Sequence, residues 1–281
     1  MPAQHAEKTS RSILLHGVDF TSAPRSRKGI TIASGYLDGD VFHLDTLTTL
    51  TDFTAFSDWL SRPGPWLSAF DFPFSFPRDL IVQLGGPQQW DAMITHIASL
   101  SRAHLRELFK AVCDARPVGS KFLHRATDLL AGSSSSMKWV NPPVAYMLHA
   151  GAPLLLAAGV SVHGIHQGDP SRIAVEAYPG MVARSITKAS YKNDARAMQT
   201  PARYAARTAI LDAIESGDYP IQIRLNTGRH REALLQDGSG DLLDAALCAL
   251  LAAWAWQRRE QNFGLPPQGF DPLEGWIVGT T

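Results

Sequence analysis

Several acids stand where burial should exclude them, and carboxylates gathered from such positions are the groups that bind hard divalent cations. Asp19 closes the apolar run Ile13-Leu14-Leu15-His16-Gly17-Val18, and strand alternation sets it on one face with Ile13, Leu15 and Gly17. An acid there is either paired, hydrogen-bonded or ligated, or it opens the turn toward Thr21–Pro24. Asp71 follows Trp66–Phe70 inside Phe70-Asp71-Phe72-Pro73-Phe74, where Pro73 permits a turn and the surrounding phenylalanines argue for a bound cation. Glu176, in Ile173-Ala174-Val175-Glu176-Ala177-Tyr178, lies opposite Ile173 and Val175; taken alone it fits an edge-strand glutamate facing water.

Asp241 and Asp244 open the last long helix, three residues apart and therefore on one side of its first turn. Capping accounts for both: Asp241 as N-cap, Asp244 at the third helical position facing the helix dipole. Beyond that turn the helix is apolar nearly all round, with Leu247, Leu250, Leu251 and Trp254 set among alanines. Such a helix is buried against a sheet, so its acidic first turn points at the ends of core strands. Carboxylates from separate elements suit Mg²⁺ or Mn²⁺, and two such ions about 4 Å apart stabilise both oxygens of an in-line phosphoryl displacement.

The elements that must position these acids follow from periodicity. Ser12–Phe20 and Gly29–Tyr36 read as strands, Leu37-Asp38-Gly39-Asp40 as a hairpin turn and Val41–Thr46 as the returning strand. Thr51 is positioned to cap a helix over Asp52–Arg62, ended by Pro63-Gly64-Pro65, and Trp66–Phe70 is a fourth strand. Gln88–Cys113 and Pro142–Ala158 read as helices separated by a Gly/Ser stretch, in which Ser133–Ser136 suggests a mobile loop. Ser171–Tyr178 returns to strand character. Thr200, Pro201 and Gly217 frame a helix, Asp241–Arg259 forms the last one, and Glu274–Val278 is placed as a closing strand. Three strands before the first helix exclude regular βαβ alternation and fit a mixed sheet: a three-strand meander with parallel additions.

The 281 residues suffice for one large core, and 45% hydrophobic with 19% charged residues places the chain well away from disorder. Lysine plus arginine total 26, as do aspartate plus glutamate, so a general nucleic-acid coat is excluded while a local basic face is not. Such clusters occur at Arg25, Arg27 and Lys28 and across Arg184–Arg207, although each also fits a solvated face. Met1–Ser12 is polar, and the stretch Leu242–Trp256 is too short for a membrane span and is interrupted by Asp244. With only Cys113 and Cys248 and no CxxC, a cytoplasmic protein without membrane attachment is expected. His163 and His166 have zinc-like spacing without a completing cysteine and fit a loop, Arg125 and Asp128 fit a surface pair, and Cys248 fits a buried helix position.

Six short segments bring a family into view: Gly17-Val18-Asp19-Phe20-Thr21, Phe70-Asp71-Phe72-Pro73-Phe74, Val175-Glu176-Ala177-Tyr178-Pro179-Gly180, Ser190-Tyr191-Lys192, Asp241-Leu242-Leu243-Asp244-Ala245-Ala246 and Glu274-Gly275-Trp276-Ile277. In this order they resemble a bacterial family named for a domain of unknown function, 429, described as predicted nucleases of ribonuclease H fold. The resemblance implies one α/β domain over residues 1–281, with a ribonuclease H-like mixed five-stranded sheet flanked by helices and a helical insertion at about 87–160 before the fifth strand. It implies Asp19, Asp71 and Asp244 as metal ligands for Mg²⁺ or Mn²⁺, with Asp241 and Glu176 assisting. Tyr191 and Lys192 would contact phosphate, with Arg196 and Arg203 from the basic stretch beside them.

The function expected is therefore a metal-dependent nuclease or phosphodiesterase that activates water to cleave nucleic acid. Two alternatives share the topology: a phosphotransferase or ATPase of the actin and sugar-kinase type, and a catalytically silent nucleic-acid-binding protein.

Overall fold

The computed structural model describes residues 13–268 and 270–280, so the Met1–Ser12 segment, including the first residue of the expected opening strand, lies outside the described residues. Strand β1 (Leu14–Asp19) pairs antiparallel with β2 (Ile30–Asp38), and β2 with β3 (Val41–Leu50). The β2–β3 turn needs a left-handed residue, and Gly39 supplies it at φ +59°. Helix α1 (Phe53–Leu60) starts one residue later than expected: Asp52, not Thr51, is its cap, with a carboxylate oxygen accepting from the Ala55 N–H at 2.8 Å. Strand β4 (Trp66–Asp71) then adds parallel to β1 on the side away from β2.

Helices α2 (Arg78–Gln83), α3 (Trp90–Ser99), α4 (Arg102–Asp114), α5 (Ala126–Ala131) and α6 (Val144–Ala157) separate β4 from the next strand. The expected helix over Gln88–Cys113 is two helices. Leu100 turns extended and Ser101 caps α4 by accepting from the His104 N–H at 3.1 Å, so a serine inside a helical pattern marks a new start. The Ser133–Ser136 stretch is no free loop, because Ser135 and Ser136 are buried and the Ser135 hydroxyl donates to the Leu123 carbonyl.

Strand β5 (Val160–Val162) and strand β6 (Asp169–Glu176) follow, both parallel to β4. Helices α7 (Pro179–Ile186) and α8 (Pro201–Ser216) lead to β7 (Arg224–Asn226), which pairs parallel with β3. Helices α9 (Arg231–Gln236) and α10 (Asp241–Gln257) complete the regular structure. Among the described residues the sheet has seven strands, in the order β5-β6-β4-β1-β2-β3-β7, where the sequence suggests five. The two extra strands have three residues each, too few for alternation to show, and both extend the edges of a sheet that keeps the expected meander and parallel additions. Glu274–Val278 contributes a single parallel bridge, Glu176 to Ile277, because Gly275 and Gly279 at φ +75° and +86° bend the chain on either side.

Helices cover both faces. Leu15, Leu67, Ala69 and Val175 face α10, whose residues Leu243–Ala255 are all buried. Val18, Phe70 and Ala174 face an aromatic layer with Phe56, Trp59, Phe72 and Phe74, backed by α3 and α6. Each fully buried leucine of α10 contributes about 2 kcal/mol of transfer free energy. The helix reaches this depth because Gly17 has no side chain: a Cβ there would lie 2.0 Å from the Ala249 nitrogen and 2.1 Å from the Ala245 oxygen. Among the described residues, no helix is long and apolar enough to cross a membrane.

Candidate metal centre

Parity along three parallel strands decides which acids meet. Asp19 and Asp71 are register partners at the C-terminal ends of β1 and β4. Each follows a residue that faces the aromatic layer, Val18 and Phe70, so each points to the α10 face. Helix α10 begins after Gly240 in a left-handed conformation, φ +79°, which makes Asp241 the first helical residue rather than the cap. Asp244 comes one turn later and is fully buried.

One carboxylate oxygen from each of Asp19, Asp71 and Asp244 lies within 4.8 Å of the others. Asp244 is held in place: the Tyr191 hydroxyl donates to its Oδ1 at 2.6 Å and the Lys192 ammonium donates to its Oδ2. Among the described residues, no protein group donates a hydrogen bond to the Asp19 or Asp71 carboxylate. Burial, followed by Asp244, Asp241 and Asp71, holds the Asp19 carboxyl well above the usual carboxylate range. Burial and then Asp244 push Asp71 up to about 7. Lys192 stays firmly protonated: desolvation alone would lower it, but Asp244 beside it prevails.

These residues fit a divalent cation. The donors are hard oxygens throughout, as Mg²⁺ and Mn²⁺ require, and two of the three carboxylates lack any protein donor. When all three are ionised, Lys192 balances one charge and leaves two, the charge of a single such ion. A cleft of about 590 Å³ opens over the cluster.

The family model for proteins described as "Protein of unknown function (DUF429)" matches residues 17–268. The chain belongs to this family. The DUF429 match opens at Gly17, two residues before Asp19, and takes in Asp71, Glu176, Tyr191, Lys192 and all of α10. No curated protein and no solved structure matches the chain.

Within this DUF429 chain the remaining expected residues take other places. Glu176 does not join the three aspartates. It sits on the face opposite Val175, so its carboxylate turns into the aromatic layer and meets Arg125, at 2.6 and 2.8 Å to the two guanidinium nitrogens, and the Phe74 N–H at 2.9 Å. Arg125 and Asp128, expected as a surface pair, are each 1% exposed and are joined at 2.7 Å. Arg125 also donates to the Glu274 carbonyl at 2.9 Å, so one guanidinium ties α5, β6 and the C-terminal segment together. Burial raises Glu176, and Arg125 offsets part of that rise.

Asp241 stands outside the cluster and pairs with Lys28 at 2.7 Å; Lys28 bonds Asp194 at the same distance. The Lys28 bridge thus joins the β1–β2 connection, the loop carrying Tyr191 and Lys192, and the start of α10. Arg196 is exposed, and Arg203 donates to Ser190 Oγ at 3.3 Å and to the Met198 carbonyl at 2.5 Å. Neither arginine lines the cleft. The sequence placed Lys28 in a basic cluster but offered no sign of its two acidic partners, which are distant in the chain. The His163 ring bonds Asn262 Oδ1 at 3.0 Å, in keeping with a loop role.

Proposed function

We propose that this DUF429 protein is a metal-dependent nuclease or phosphodiesterase of ribonuclease H-like fold that uses Mg²⁺ or Mn²⁺ and acts on nucleic acid. The convergence of Asp19, Asp71 and Asp244 within 4.8 Å, two of them without protein donors, carries the reading. The strand order β3-β2-β1-β4-β6 inside the larger sheet, with β2 reversed, supports the fold assignment. Buried Cys113 and Cys248, both free, suit a reducing cytoplasm.

Asp19, Asp71 and Asp244 would hold the ion. Bound there, a divalent cation supplies positive charge to the attacking and leaving oxygens of phosphoryl displacement. Tyr191 and Lys192 fix the Asp244 carboxylate and narrow its rotamer choice. Lys192, 43% exposed along its side chain, also presents a cation at the cleft for a substrate phosphate. Lys28 draws Asp194 and Asp241 together and leaves Asp19 facing the cleft.

The test is cleavage of single-stranded and duplex DNA and RNA with Mn²⁺ added or chelated. Metal-dependent cleavage lost in Asp19→Asn and Asp244→Asn supports the reading; release of phosphate from a nucleoside triphosphate with no phosphodiester cleaved contradicts it.

A further inference from the structure

The cleft over the acids has a mixed lining. Pro142, Pro143, Val144 and Met147 give it an apolar part, with both prolines exposed and the other two half-buried. These residues are firmly placed, because Ala145 and Leu148 on the same helix are fully buried in the core. Tyr178 also faces the cleft and is fixed: its hydroxyl accepts from Arg184 at 2.9 Å, whose guanidinium lies 5.0 Å from the ring centroid. The polar part holds the acids with Lys28 and Lys192. Asp19, 8% exposed, and the half-buried Asp71 line its recessed end, and Asp244, fully buried, lies behind them.

Size and chemistry together limit the ligand. A volume of about 590 Å³ falls within the roughly 300–1,000 Å³ typical of small-ligand pockets. A ligand that uses the whole lining needs an anionic group for the ion and Lys192, joined to a flat apolar group for the proline-valine-methionine surface. A nucleotide has both. A duplex keeps its bases stacked inside and shows its phosphates on a convex surface, so the apolar lining stays unused unless a nucleotide leaves the stack.

Resting on the phosphodiesterase reading, we propose that the cleft admits one nucleotide unit at a time. Its phosphate sits at the acid cluster and its base lies against Pro142, Pro143, Val144 and Met147. The substrate is then a single strand or a free nucleotide ester, and an intact duplex is excluded.

The experiment measures binding to the full chain in Mn²⁺ with four phosphorothioate probes that resist turnover: a nucleoside monophosphate ester, the matching sugar phosphate without a base, a single strand, and a blunt duplex of the same sequence. The single strand or the free ester binds best, and which of the two is tighter tells a polymer from a free nucleotide. The baseless probe and the duplex bind roughly five- to a hundredfold more weakly, the range that one base contact supplies.

Val144→Asp weakens the base-bearing probes about tenfold and leaves Mn²⁺ affinity unchanged; its carboxylate falls in the first turn of α6, where the helix dipole tolerates it. Met147→Leu retains binding. A duplex as tight as the single strand, a baseless probe as tight as the nucleotide ester, or no effect of Val144→Asp overturns the one-nucleotide proposal while Mn²⁺ still binds. Failure of the wild-type protein to bind Mn²⁺ overturns the phosphodiesterase reading itself.

Discussion

Asp19 and Asp71 are direct neighbours across two parallel strands, side by side at the ends of β1 and β4 and on the same face of the sheet. Parallel pairing with this register sets two carboxylates together in a partly dry environment, where burial and then Asp244 raise the proton affinity of both, and Asp71 adds to the rise of Asp19. The arrangement costs stability unless a cation is bound, and that cost is measurable.

The first consequence is a pH dependence in the metal-free protein. Asp71 titrates near 7 when folded and in the ordinary carboxylate range when unfolded. Between those values the folded state holds the extra proton, so the contribution of Asp71 is favourable at low pH and is lost as pH rises through about 7. Asp71→Asn removes this loss. Thermal melts in chelator show the variant gaining on the wild type from about pH 4 upward, with the gain levelling off above neutrality. Parallel curves across that range contradict the raised affinity.

Gly17→Ala tests how α10 is seated. The added methyl collides with α10 backbone atoms at Ala245 and Ala249, which no side-chain rotation can relieve. Destabilisation of about 1–3 kcal/mol or more follows from overpacking. Because Asp244 rides on the displaced helix, Mn²⁺ affinity falls although all three acids remain. Denaturant titration and Mn²⁺ calorimetry on the same sample check both effects.

Arg125→Met leaves Glu176 and Asp128 buried without their cation. A loss of about 3–5 kcal/mol is expected in urea unfolding. Adding Glu176→Gln recovers part of it, since the amide still accepts from the Phe74 N–H without a buried charge. A double variant no more stable than the single one rules out the Arg125–Glu176 pair as the reason.

Lys192→Met removes the ammonium that Asp244 holds. The metal-free protein loses stability, and Mn²⁺, freed from competition with a resident positive charge, binds roughly tenfold more tightly. On the proposed phosphodiesterase reading cleavage nevertheless falls, since Lys192 would no longer meet the substrate phosphate. Calorimetry and single-turnover cleavage separate the two effects.

Much of this was legible in the sequence because it is local. The β2–β3 turn, the α8 frame of Thr200, Pro201 and Gly217, and the apolar α10 all declare themselves in neighbouring residues. Asp19, Asp71 and Asp244 could be singled out because each is an acid at the edge of an apolar run. Glu176 shows the limit. Its parity could be read from the strand, but its partner Arg125 lies 51 residues earlier in a segment whose spacing fits a surface pair equally well. Strands β5 and β7 were hidden because three residues carry no readable alternation and form only where longer strands already offer an edge. The Lys28 bridge was hidden for a similar reason, since Asp194 and Asp241 are 166 and 213 residues away.

The most direct test of the account is a diffraction measurement at the manganese absorption edge on crystals soaked in Mn²⁺. The account predicts an anomalous peak in contact with carboxylate oxygens of Asp19, Asp71 and Asp244, absent in Asp19→Asn. No peak there at saturating Mn²⁺, or one only at unrelated acids, contradicts it.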